Sequence, residues 1–150
     1  MYFYSVERIL SMNTNDLNRL GSIIIASAFE VRNELGPFLV EKIYEEALMI
    51  ELRKQGLEVQ NQIGVPVYYK GQKLDFTPII DLMVENEIIL ELKAVQYMEH
   101  SHVRQLISYL HLTNKRLGYL INFHAPKFKV ANSSNSYRDN LGIYRYANNI

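Results

Sequence analysis

Apolar positions along this chain change period several times, and each change marks an element. Met12-Asn13-Thr14-Asn15-Asp16 offers several helix-capping side chains, and Leu20, Ile23, Ile24, Phe29 and Val31 then recur at spacings that suit a buried helix. That helix is expected to run to about Leu35, where Gly36-Pro37 stops it. A second helical pattern covers about residues 40–55, with Ile43, Tyr44, Ala47, Leu48 and Leu52 on one face and Gly56 as its stop. Short strand-like runs follow at residues 57–60 and 65–69, with Lys70-Gly71-Gln72 as a hairpin turn. Two further runs, one ending in Asp81-Leu82-Met83-Val84 and one covering residues 88–95, flank a turn at Asn86-Glu87. A third helix is expected over about residues 101–112, with Val103, Leu106, Ile107 and Leu110 as its apolar face. Residues 117–123 read as a strand, 131–140 as a polar loop and 141–147 as a last strand. Residues 1–11 read as an extension ahead of a single domain over 12–150. Helix, helix, strands, helix, strand predicts an α/β or α+β sandwich around a central mixed sheet.

A chain of 150 residues with 48% apolar content is enough for one well-buried core. The absence of cysteine excludes disulfides, thiolate metal sites and cysteine nucleophiles. No apolar run is long enough to span a membrane, and Met1-Tyr2-Phe3-Tyr4 lacks the character of a signal peptide, so a cytoplasmic location is expected.

Charge sharpens this picture. The net charge is zero, which argues against strong non-specific binding to nucleic acid. Yet residues 1–100 hold 9 Lys and Arg against 15 Asp and Glu, whereas residues 101–150 hold 7 against 1. The basic C-terminal third, with Arg104, Lys127 and Lys129, together with His102, is the expected surface for a polyanion. Pairing of the two patches with each other, within one fold or across a dimer, is the structural alternative.

The most informative chemistry is Asp81 followed by Glu91-Leu92-Lys93. On a strand, Glu91 and Lys93 share one face while Leu90, Leu92 and Ala94 take the other. If the two runs pair as a hairpin, the carboxylates of Asp81 and Glu91 converge. Two carboxylates can hold a hard divalent cation, and a neighbouring lysine can orient or deprotonate a water. A half-exposed strand carrying an ion pair is the bland reading of the same residues. Gln105 and Tyr109, spaced i, i+4 on the third helix, share a stripe with His102. Both can bond a phosphate or a bound water, but such a stripe is also what a solvated helix face looks like. Glu41 opens the second helix, where the helix dipole alone favours an acid. Glu45, Glu46 and Glu51 read as solvated face, and His124 as a surface residue. No Gly-rich phosphate loop, H-E-x-x-H or G-x-S-x-G is present.

These pieces occur in a telling order. Gly36-Pro37-Phe38-Leu39-Val40-Glu41-Lys42-Ile43-Tyr44 is followed by Pro66-Val67-Tyr68-Tyr69-Lys70-Gly71 and by Asp81-Leu82-Met83-Val84. Ile89-Leu90-Glu91-Leu92-Lys93-Ala94-Val95, then His102 to Leu110, then Arg116 to Phe123 complete the set. The ordered set resembles the GxxExxY proteins, small members of the PD-(D/E)XK nuclease superfamily, from about Leu17 to Val130. The resemblance implies a restriction-endonuclease-like core and Mg²⁺- or Mn²⁺-dependent hydrolysis of nucleic acid, DNA above all. It further implies that Asp81 and Glu91 bind the metal, that Lys93 is the catalytic lysine and that Glu41 is the acid of the first core helix. Gln105 and Tyr109 match a Q-x-x-x-Y element of nucleases of the RecB type. Two positions depart from the pattern: Phe38 replaces the name-giving glycine, and Ile79 stands where arginine is frequent. A homodimer is the expected way for so small a domain to engage duplex DNA. The competing expectation is a nuclease-fold module that binds nucleic acid or a protein without turnover.

Overall fold

A computed structural model describes residues 12–148. The expected extension at residues 1–11 lies outside the described residues. Three α-helices and a six-stranded mixed sheet form the core, in agreement with the α+β expectation. Helix α1 spans Thr14–Leu35, α2 Glu41–Lys54 and α3 His100–Thr113. The strands are β1 (Val59–Gly64), β2 (Tyr68–Tyr69), β3 (Gln72–Lys73), β4 (Ile79–Val84), β5 (Ile88–Lys93), β6 (Leu117–Asn122), β7 (Lys129–Val130) and β8 (Gly142–Ala147).

The sheet runs β1-β4-β5-β6-β8-β7, and β2 with β3 forms a separate hairpin. Strand β4 is antiparallel to both β1 and β5, whereas β5 and β6 are parallel. A parallel pair needs a crossover, and α3 supplies it. Apart from half-buried Lys93, β5 and β6 are buried throughout, because helices cover both faces. Helices α1 and α2 pack Leu17, Leu20, Ile24, Tyr44 and Leu48 onto Leu82, Leu90, Leu92 and Ile121. Helix α3 packs Val103, Leu106 and Leu110 onto Met83, Ile89 and Leu120 from the other side. It lies close: a Cβ on Gly118 of β6 would come within 2.8 Å of the Leu106 side chain.

Local chemistry explains the boundaries. Asn13 caps α1 by accepting from the Asp16 amide, and Gly36 ends it at φ 75°. Lys70 and Gly71 both adopt positive φ, as a two-residue hairpin turn demands. The turn between β4 and β5 centres on Glu85 and Asn86, one residue earlier than expected.

Several expectations change. The run at 57–60 is displaced to Val59–Gly64, and only Tyr68–Tyr69 of the run at 65–69 is strand, because it leaves the main sheet as a hairpin. The loop at 131–140 contains a 3₁₀ turn over Ser134–Asp139. Ile43 and Ile107 are exposed rather than core-facing, and Tyr109 takes the buried place on α3. Phe38 raises no backbone problem, since Gly36 supplies the positive φ of that loop and Phe38 is not among the positive-φ residues.

Candidate active site

Strands β4 and β5 pair only from Leu82↔Leu90 to Val84↔Ile88. Beyond Leu82, β4 stays with β1 as far as Ile79↔Gly64, and β5 stays with β6 as far as Lys93↔Asn122. The sheet therefore splits between its two acid-bearing strands. Splitting frees backbone amides that a buried sheet must satisfy in another way. The two acids do so. The Asp81 amide donates to Glu91 Oε2 at 2.9 Å, and the Leu92 amide donates to Asp81 Oδ2 at 2.9 Å.

This fork is an electrostatic hot spot. Glu91 is nearly fully buried, and its pKa is pushed up to about 8, first by burial and then by the charge of Asp81. Asp81 is also raised, chiefly by burial, against the opposing pull of the Leu92 amide and Lys93. Glu41, the first residue of α2, is raised by burial and by Asp81. Lys93 lowers all three acids, so it shares their field.

Lys93 lies on the same face as Glu91, with Leu90, Leu92 and Ala94 on the other. Its Nζ donates to Gln105 Oε1 at 2.9 Å, and Gln105 Nε2 donates to the Tyr109 hydroxyl at 3.1 Å. The fork and the α3 stripe are thus one assembly. Burial, then the nearby acids, holds the Tyr109 hydroxyl protonated by raising its pKa.

The four residues expected to meet a polyanion fare differently. His102 closes a capping box on α3, its Nδ1 accepting from the Glu99 amide at 3.1 Å. Burial and Lys93 lower its pKa, which favours the neutral ring. Arg104, Lys127 and Lys129 are exposed, and no bond joins them to the fork.

Glu45 overturns its reading as solvated face. It is 3% exposed and accepts from Lys42 Nζ (3.2 Å), Asn61 Nδ2 (3.1 Å) and Gln62 Nε2 (2.9 Å). From a backbone position at φ 51°, the Gln62 amide also eases the Asp81 carboxyl towards its charged form. One sequence signal pointed here: Glu41 and Glu45 are i, i+4 and share a helix face. Gln62 gave none.

Two further residues position the site. Buried Asn122 holds the chain just past Lys93, accepting from the Val95 amide and donating to the Val95 carbonyl, both at 3.0 Å. The Tyr44 hydroxyl donates to the Gly36 carbonyl (2.5 Å) and accepts from the Leu39 amide (3.1 Å), which fixes the loop leading to Glu41. His124 latches the same loop through the Leu39 carbonyl at 2.6 Å, so it is structural rather than merely a surface residue.

Among the described residues, no three His, Asp or Glu side chains are assembled as an ion site. Asp81 and Glu91 are instead turned onto each other's strands. The oxygen-only donor set nevertheless suits a hard divalent cation. Two crowded carboxylates, Asp81 half-buried and Glu91 buried with its pKa near 8, are what such a charge would relieve.

A family model for the PD-(D/E)XK nuclease superfamily matches residues 18–133. The chain belongs to this superfamily. The match takes in α1 from residue 18 onward, α2, α3 and strands β1 to β7, with the β4–β5 fork inside it. No curated protein and no solved structure matches this superfamily member. Among its described residues, no helix is long and apolar enough to cross a membrane.

Proposed function

We propose that this chain is a cytoplasmic, divalent-metal-dependent nuclease that hydrolyses phosphodiester bonds, in DNA above all. The observation that carries the reading is the fork between β4 and β5, where Asp81, Glu91 and Lys93 meet in one buried field. Asp81 and Glu91 are the acids that would hold Mg²⁺ or Mn²⁺, with Glu41 as a third acid from α2. When bound, the metal supplies positive charge for the developing phosphoryl transition state and lowers the pKa of water. Lys93, held by Gln105, orients the attacking water or receives its proton. Tyr109 keeps Gln105 in place and offers a hydroxyl to a phosphate oxygen. Arg104, Lys127 and Lys129 are exposed cations for the polynucleotide backbone, and His102 sits beside Lys93 at the start of α3. The pairing of Glu41 with a loop-locking Tyr44 supports membership of the GxxExxY branch. A homodimer would enlarge the small surface that each chain offers to nucleic acid.

A second reading, a nuclease fold that binds without turnover, is favoured by the absence of an assembled three-acid cluster among the described residues. Both readings face one experiment: cleavage of single-stranded, duplex and branched DNA with Mn²⁺ at low salt, by wild type and by Asp81→Ala and Lys93→Met. Cleavage by wild type alone supports the nuclease. Intact substrates in every lane support the binding module.

A further inference from the structure

Five aromatic side chains are strongly exposed among the described residues: Phe38 (89%), Phe76 (75%), Tyr97 (68%), Tyr68 (62%) and Tyr69 (62%). Their distribution is one-sided. Strand β1 ends, β4 begins and β5 and β6 end at a single edge of the sheet, as their pairing requires. The fork opens at that edge. Phe38 lies three residues before Glu41, in the loop latched to His124 just past the end of β6. Tyr68, Tyr69 and Phe76 lie in the connection from β1 to β4. Tyr97 lies four residues after Lys93. The turns at the opposite edge, residues 55–58, 85–87 and 114–116, contain no aromatic residue.

The segments that carry these rings are held in place. The Val65 amide bonds the Pro78 carbonyl at 2.9 Å, and the Leu74 amide bonds the Val67 carbonyl at 2.8 Å. The β2–β3 hairpin therefore continues outward from β1 and β4, beyond Asp81. Lys70 Nζ sits 5.4 Å from the Tyr69 ring centre, which places a cation beside an exposed ring. Gln96 shares a groove of about 460 Å³ with Pro37, Phe38, His124 and Pro126, so the loops of Phe38 and Tyr97 adjoin.

We infer that this aromatic rim is a stacking surface for unpaired nucleobases, so that the substrate is single-stranded or carries a single-stranded segment at the cleaved bond. The inference rests on the nuclease reading of the fork and extends it to a substrate class. Rings that stack on bases need base faces, and a continuous duplex hides them within its own stack. A protein partner or a second copy seated on this edge would close Asp81 and Glu91 off from any phosphodiester.

The test measures fluorescence anisotropy of labelled 20-nucleotide probes with the full chain in EDTA, where no cleavage occurs. The probes are single-stranded DNA, single-stranded RNA, blunt duplex DNA and an abasic phosphodiester of equal length. Expected is at least about tenfold tighter binding of single strands than of duplex or abasic probe. Tyr69→Ala and Phe76→Ala should each weaken single-strand binding about tenfold with unchanged melting temperature, because both side chains are exposed. The DNA and RNA arms identify the natural polymer. Equal binding of the abasic probe, or no effect of the aromatic substitutions, overturns the rim. A parallel cleavage assay with Mn²⁺ separates the two ideas. Duplex cleavage that ignores the aromatic substitutions removes the rim and leaves the nuclease. Neither binding nor cleavage removes both.

Discussion

Asp81 and Glu91 each satisfy a backbone amide on the other's strand, through bonds of 2.9 Å in both directions. The carboxylates therefore do two jobs: they close the end of a split sheet, and they crowd two acids so closely that each resists losing its proton. A cation that neutralises the pair binds only the folded state, so it should raise the melting temperature. With Mn²⁺ at about 100 times its dissociation constant, the gain is about 2.7 kcal/mol. Asp81→Ala should abolish that gain, which differential scanning calorimetry with and without Mn²⁺ measures. An equal rise in the mutant would place the ion elsewhere.

Lys93 and Gln105 form the second link. Lys93→Met should lower cleavage by about 10²- to 10⁴-fold, the usual worth of a positioned proton-transfer group. Gln105→Ala should cost about tenfold, since it disturbs the ammonium without removing it. Single-turnover rates on one oligonucleotide give both numbers. A Gln105→Ala loss as large as that of Lys93→Met would mean that Gln105 contacts substrate itself.

Tyr44 was legible as a core residue, but its hydroxyl was not. Its ring stacks on Phe123 with centroids 4.5 Å apart, while its hydroxyl serves Gly36 and Leu39. Tyr44→Phe keeps the ring and releases the loop before Glu41. It should cost about 1–2 kcal/mol of stability. Urea denaturation reads the stability, and the Mn²⁺ titration shows whether Glu41 depends on that loop.

Much of the fold was written in periodicity. The α1 stripe of Leu20, Ile24 and Val31 and the shared face of Glu91 and Lys93 follow from residue spacing alone. The hairpin that joins Asp81 to Glu91 was readable because a turn separates two apolar runs. What stayed hidden depends on tertiary geometry. Glu45 looks like its exposed neighbour Glu46 until β1 is laid against α2, where Gln62, at a positive φ, bonds Glu45 and acts on Asp81. Asn122 resembles an ordinary strand residue, yet its amide takes the place of a strand partner for Val95. Side chains that stand in for backbone leave no period behind.

Glu45 and Gln62 act on Asp81 in opposite senses. The charge of Glu45 raises the proton affinity of Asp81, whereas the Gln62 hydrogen bond lowers it. Protons and metal compete for the same carboxylate. Glu45→Gln should therefore carry Mn²⁺ binding to lower pH, and Gln62→Ala should move the binding midpoint to higher pH. Calorimetric titrations across pH 5–9 read both midpoints, and shifts in the same direction would refute the opposed action of Glu45 and Gln62 on Asp81.

The raised pKa of Glu91 predicts a trade between stability and function. Its folded value of about 8 lies above its ordinary value of 4.5, so between these limits the folded state holds a proton that the unfolded state has lost. The contribution of this group to stability is therefore complete below about pH 4.5 and is lost as pH rises through about 8. Each pKa unit of the difference corresponds to about 1.4 kcal/mol. Glu91→Gln mimics the protonated acid, and its amide oxygen can still accept from Asp81. Without metal it should melt higher than wild type at pH 9, and the advantage should shrink towards pH 5. The same substitution should abolish Mn²⁺ binding and cleavage. Melting curves of both proteins in EDTA from pH 5 to 9 make the comparison. A wild type that gains stability on Glu91 ionisation, relative to Glu91→Gln, would mean that the fork welcomes a second negative charge without a cation.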